Sequence, residues 1–194
     1  MSLFLGIDFG TTGVRTSIID KNKKELINFS VSIDSPISKG ALVYQHPSLW
    51  WSALIKNLTF LKTKIGLNKI DRLSIDGTSG TVLITDHFGK PLDNALMYND
   101  ASAVKESKLV ESISDNHPIV STSTNALVRA LSLINKLKKE KYRILHQADW
   151  IACKIINDYL YSDENNALKL GYDCVERSWP KWFDQLPIEM NSLP

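Results

Sequence analysis

The chain has 194 residues, 43% of them hydrophobic and 23% charged, with a formal net charge of +2. This length holds one large domain or two small ones, and the apolar content is enough for a core, which excludes a disordered protein. The near balance of charge argues against a nucleic-acid or membrane-surface partner, and no apolar stretch approaches the length of a membrane span.

In chain order, Leu3–Phe9, Arg15–Asp20 and Glu25–Ile33 read as three sequential strands, with Asp20-Lys21-Asn22-Lys23 as a polar turn. The first strand starts so early that no signal or transit peptide is expected, which predicts a cytoplasmic protein. Between the first two strands stands Asp8-Phe9-Gly10-Thr11-Thr12-Gly13-Val14-Arg15. Gly10 and Gly13 are expected to supply positive φ and close backbone approach. Successive N–H groups of such a turn can form an anion-binding concavity, and Thr11 and Thr12 add hydroxyl donors. Asp8, beside it, is suited to holding Mg²⁺ through water. An ordinary Gly-containing hairpin is the alternative. The stretch is neither a P-loop nor a dinucleotide fingerprint, because both of those run into a helix.

Ser48 is expected to cap a helix whose Trp50, Leu54, Leu58 and Leu61 share one face. Asp71–Asp76 and Thr81–Asp86 read as the fourth and fifth strands. The intervening Asp76-Gly77-Thr78-Ser79-Gly80-Thr81 carries one acid and three hydroxyls, which can donate to and accept from a polyhydroxylated ligand; another tight hairpin is the alternative. His87–Pro91 turns into a sixth strand, Leu92–Tyr98, followed by Tyr98-Asn99-Asp100. Asp100 either adds a polar group to the same site or caps a helix beginning at Ala101. Helices are predicted at Ala101–Ile113, Asn125–Lys139 and Ala148–Leu160, with the basic run Lys136–Lys141 as a solvated helix end. Cys153 and Cys174 lack metal-like spacing and read as reduced thiols. Strands, one helix, strands and then helices predict an α/β fold with a mixed sheet flanked by helices.

Asp8 to Arg15 resembles the first phosphate loop of the actin, Hsp70 and sugar-kinase superfamily. With Ile75–Leu83, Tyr98–Asp100, Gln147-Ala148-Asp149-Trp150 and Asn165–Asp173 in this order, the whole chain is similar to the N-terminal domain of a carbohydrate kinase of the FGGY family. It looks closest to the ribulose and xylulose kinase subgroup of cyanobacteria and plants. The resemblance implies a ribonuclease-H-like (actin-like ATPase) fold, a ketopentose substrate, and ATP and Mg²⁺ as cofactors. By position, it puts Asp8 at the metal, the phosphoryl group and the sugar. Gly10, Thr11, Thr12, Gly13 and Arg15 fall at the phosphates, and Asp76, Gly77, Thr78, Ser79 and Asp100 at the sugar. Two departures limit this transfer: related kinases carry Gly-Gln-Met-His-Gly where Gly77 to Thr81 stand, and many carry an Arg two residues after the Asp, where Ser102 stands.

The family's catalytic Asp lies downstream of the Gly-Tyr-Asp region, so residues 1–194 are expected to be an incomplete kinase without general base or C-terminal ATP-binding domain. Self-association through surface left open is expected, with Trp179, Trp182 and Phe183 either on that surface or in the core. A non-catalytic sugar-binding or regulatory module, and an actin- or Hsp70-like ATPase half, are the competing functions.

Overall fold

Alternation of apolar and polar residues sets the first strands, and the computed structural model describes residues 2–114, 120, 122–137 and 141–193. The strands are β1 (Leu3–Phe9), β2 (Gly13–Asp20), β3 (Glu25–Ser32), β4 (Ile37–Lys39) and β5 (Leu42–Gln45), then α1 (Ser48–Lys64), β6 (Ile70–Gly77), β7 (Val82–Thr85) and β8 (Ala95–Leu96). There follow α2 (Val104–Ile113), α3 (Ala126–Ile134), β9 (Arg143–His146), α4 (Gln147–Ile156) and α5 (Glu164–Lys169). The chain divides into two compact units, Met1–Pro36 with His46–Thr78, and Ile37–Gln45 with Ser79–Pro194.

The first unit is a four-stranded mixed sheet in the order β3-β2-β1-β6, with β6 parallel to β1 and the other pairs antiparallel. Leu3, Leu5, Ile7 and Phe9 of β1 and Val14 and Ile18 of β2 are buried, as are Trp50, Ala53, Leu54 and Leu61 of α1, which packs on β2 and β3. Phe29 stacks on Phe60 at a centroid distance of 3.9 Å. Two polar side chains, Asn57 and Thr16, meet in this layer. Asn57 is buried, accepts from Thr16 Oγ1 at 3.1 Å, and donates to the carbonyls of Val14 and Ala53. The predicted helix face is present, but Ser48 does not cap it. Pro47 already has φ −60° and ψ −23°, so the helix begins one residue earlier, and the ring nitrogen Nδ1 of His46 accepts the Ser48 N–H.

The second unit holds an antiparallel five-stranded sheet, β4-β5-β8-β7-β9. All four residues of β7 are buried, with α3 packed against it. Val82, Ile84, Leu96, Val110, Leu127, Leu131, Ile144, Leu170 and Phe183 belong to its core. Trp179 and Trp182 pack against that core, with ring centroids 4.6 and 5.8 Å from Phe183, so the C-terminal aromatic residues serve this unit's own interior.

Several predicted boundaries shift. The sixth strand shrinks to Ala95–Leu96, because Leu92 donates instead to the Ile84 carbonyl and Pro91 forms an isolated bridge to Thr85. The helix expected from Ala101 starts at Val104, after a turn closed by Asp100. Asn125 caps α3 through Leu127 N at 2.7 Å. The predicted end of that helix at Lys138 and Lys139 lies outside the described residues. Helix α4 stops at Ile156, where Asn157 adopts the left-handed conformation, φ 57°. β4, β5, β9 and α5 were not anticipated. The Asp76–Thr81 segment is no hairpin, because β6 and β7 belong to different sheets. Among the described residues no helix is long and apolar enough to cross a membrane.

Candidate active site

The turn joining β1 to β2 closes with Gly10 N donating to Gly13 O at 2.9 Å, and Thr12 O accepts from Ile33 N. Neither Gly10 nor Gly13 has positive φ, contrary to expectation; their use is close approach. A Cβ on Gly13 would meet the Val31 carbonyl at 3.3 Å, and one on Gly10 would meet the Arg15 guanidinium at 3.3 Å. Glycine at 13 thus lets β2 lie close to the β3 backbone, and at 10 it leaves room for the Arg15 guanidinium. Thr11 and Thr12 stand between them, half-buried and exposed.

Asp8 lies in register with Arg15 on antiparallel β2 and with Asp76 on parallel β6. Register partners share a sheet face, so the three side chains stand in a row opposite the face that α1 covers. Arg15 Nη1 donates to Asp8 Oδ2 at 2.8 Å, with side chains 67% and 47% exposed. An ion pair this exposed contributes little stability and exchanges readily for another partner. Asp76 Oδ1 accepts from Gly77 N, and Thr78 Oγ1 donates to Phe9 O. The row lines an open cavity of about 540 Å³, with Gly6, Ser17, Ser74 and Asn28 among its other walls. The donor set fits Mg²⁺ carried by a nucleotide, which needs only one or two carboxylates and takes its other ligands from water and phosphate. It does not form an all-protein metal cage: among the described residues no three His, Cys, Asp or Glu side chains group to hold an ion.

Ser79 and Asp100 belong to the second unit. Ser79 is exposed. Asp100 is buried, and its carboxylate accepts from Val43 N at 2.6 Å and from the N–H and hydroxyl of Ser102. It thus fixes the chain after Tyr98 and Asn99, which are exposed, and does not cap α2.

Sequence reasoning missed Arg129. This guanidinium, 1% exposed, donates to the carbonyls of Tyr98 at 3.0 Å, Asp100 at 3.2 Å, Gly80 at 2.6 Å, and also Thr124. Burial draws its pKa down to about 10, partly offset by Asp100, which leaves it charged at neutral pH. The available signal was one cation in Ala126-Leu127-Val128-Arg129-Ala130-Leu131, a helix otherwise apolar all round and buried all round.

A second buried network holds α4 to α5. Asp149 accepts from Asn166 Nδ2 and Ser162 Oγ, each at 2.8 Å, and from His146 N. Burial pushes the Asp149 carboxyl up to about 6, and burial with the positive Arg129 nearby draws His146 down to about 3.

Solved structures set the fold first. A xylulose kinase from Lactobacillus acidophilus superposes on 100% of this chain with a TM-score of 0.86 at 17% identity, using 41% of its own length. The fold is therefore the actin-like ATPase fold, with its mixed sheet flanked by helices. The family model described as "FGGY family of carbohydrate kinases, N-terminal domain" matches residues 3–194, and the chain belongs to that family. Curated relatives include a xylulose kinase from Staphylococcus xylosus, 22% identical over 191 residues (92% of this chain, 39% of the relative). A glycerol kinase from Aquifex aeolicus is 28% identical over 150 residues (72% of this chain, 30% of the relative). The chain thus spans about two-fifths or less of the length of the curated relatives it matches.

Proposed function

We propose that this chain is the sugar-binding half of an ATP-dependent kinase that phosphorylates a ketopentose, ribulose or xylulose, at a terminal hydroxyl. The observation that carries the reading is the row Arg15–Asp8–Asp76 on the sheet face beside the Gly10–Gly13 turn. Phosphoryl transfer asks the protein mainly for positioning and for charge complementary to the moving phosphoryl group.

In this reading the turn residues Gly10, Thr11, Thr12 and Gly13 hold the phosphates through N–H and hydroxyl groups, and Arg15 leaves its exposed pair with Asp8 to add a cation. Mg²⁺ bound to ATP supplies charge neutralisation. Asp8 holds the hydrated ion and the sugar hydroxyl close to one another. Asp76, Gly77, Thr78 and Ser79 contact the sugar, and Asp100 acts by setting the backbone of Tyr98 and Asn99. None of these residues is assigned the proton of the attacking hydroxyl. The xylulose kinases among the relatives and the solved structures support a ketopentose.

Calorimetric titration of D-ribulose and D-xylulose into the chain, beside Asp8→Ala and Ser79→Ala, tests the reading. Saturable uptake of one ketopentose, weakened in both variants, is expected. A folded chain that takes up neither sugar, or that binds equally well in both variants, contradicts a sugar site on these loops.

A further inference from the structure

Four carbonyl groups from three separate loops of the second unit converge on one buried cation. Gly80 lies in the segment entering β7, Tyr98 and Asp100 in the segment leaving β8, and Thr124 in the segment entering α3. The Gly80 and Asp100 bonds are buried and those to Tyr98 and Thr124 part-buried, and among the described residues Arg129 is the side chain that reaches all four carbonyls. The fit is close: Gly80 has φ +82°, and a Cβ there would stand 3.2 Å from Arg129 Nη2. The same loops present Ser79, Tyr98, Asn99 and Thr124 to solvent, all uncharged hydroxyl or amide side chains. The one carboxylate among them, Asp100, is buried and taken up by Val43 and Ser102. The guanidinium itself faces carbonyls and so offers little to an acidic ligand.

We propose that Arg129 is the positioning residue of a polyol-binding rim, holding these three loops so that Ser79, Tyr98, Asn99 and Thr124 meet the hydroxyls of an uncharged polyol. This rests on the sugar-kinase reading above and extends it to a residue that does not itself touch the sugar. Uncharged donors and acceptors fixed in space suit a neutral polyhydroxylated ligand, whereas an aldonate would leave its carboxylate without a cation. Lysine replaces the guanidinium only in part: Nη1 serves Tyr98, Asp100 and Thr124 while Nη2 serves Gly80, and a single ammonium nitrogen cannot occupy both places.

The test compares wild type, Arg129→Met and Arg129→Lys by amide hydrogen exchange and by calorimetric titration of D-ribulose, D-xylulose and D-gluconate. The expected result is faster exchange in Arg129→Met confined to segments 79–81, 98–102 and 122–125. With it, affinity for the preferred ketopentose should weaken by about tenfold or more, as loss of charge-assisted hydrogen bonds implies. Arg129→Lys should fall between the two, and D-gluconate should not compete. Exchange that rises throughout the unit, or nowhere, in both variants overturns the positioning role whatever the ligand. Localised exchange with unchanged ketopentose affinity overturns the rim while leaving the kinase reading intact. Uptake of D-gluconate in preference to the ketopentoses overturns the neutral ligand class. A folded wild-type chain that takes up no polyol overturns the underlying reading, and the exchange data then judge the staple by itself.

Discussion

Asp8 and Asp76 face the same side of the sheet from adjacent parallel strands, in register and with a cation, Arg15, on the other flank of Asp8. Two carboxylates side by side repel each other, and a sheet selected for stability alone would not pair them. Asp76→Asn keeps the acceptor for Gly77 N–H and removes the repulsion. Thermal unfolding of the variant should be unchanged or slightly higher, by no more than about 0.5 kcal/mol, while affinity for Mg²⁺-ATP or sugar falls. Clear destabilisation with unchanged ligand binding would make Asp76 a structural residue.

Asn57 anchors α1 to β2 through two buried hydrogen bonds, to Thr16 and Val14, and caps the Ala53 carbonyl of its own helix with a third. Asn57→Leu should lower stability by about 1–3 kcal/mol in urea unfolding. Thr16→Val should cost less in that background than in the wild type, because Thr16 Oγ1 has by then lost Asn57 and keeps only the Phe29 carbonyl. Full additivity of the two substitutions would show that the bond between them carries no weight.

His146 and Asp149 give opposite pH slopes. The Asp149 carboxyl is raised to about 6, so burying its charge costs stability above that pH, and the cost fades as pH falls toward 4. His146 is depressed to about 3, so the unfolded chain takes up a proton that the buried ring refuses, and stability is lost as pH falls from about 6.5. Each slope is at most about 1.4 kcal/mol per pH unit. Relative to wild type, His146→Gln should gain stability between pH 6 and pH 4 and Asp149→Asn should lose it, as read from urea midpoints at three pH values. Parallel profiles for the two variants would refute the assignment.

Strand β6 has β1 on one side and, among the described residues, no strand on the other, and Leu73 on it is 46% exposed. An open edge carrying an apolar side chain recruits a further strand. Sedimentation of the chain should show self-association that Leu73→Lys suppresses; a monodisperse monomer in the wild type would count against it.

The parts of this fold that were legible in the sequence are those written in local pattern. Leu3–Phe9 alternates and became β1 residue for residue, and the glycines at 10 and 13 marked the hairpin, though they serve close approach and not positive φ. Trp50, Leu54 and Leu61 announced α1 by their spacing. What stayed hidden depends on distant partners. β9 has only four residues and is a strand because β7 pairs with it; β8 is shorter still. Asp100 looked like a helix cap or ligand group, and its real partner, Val43, lies far away in the sequence. Arg129 gathers carbonyls from loops 5 to 49 residues away, which no local motif encodes.

In the proposed function, phosphoryl transfer depends on Asp8. Its most direct test is product analysis, by ³¹P spectroscopy, of a complete kinase carrying this domain, given Mg²⁺-ATP with D-ribulose or D-xylulose, beside its Asp8→Asn variant. A ketopentose phosphate is expected from the wild type, and a rate lower by at least about a hundredfold in the variant, the scale of losing one electrostatic contact to the transition state. ATP hydrolysis without sugar phosphate, or transfer that Asp8→Asn leaves intact, would contradict it.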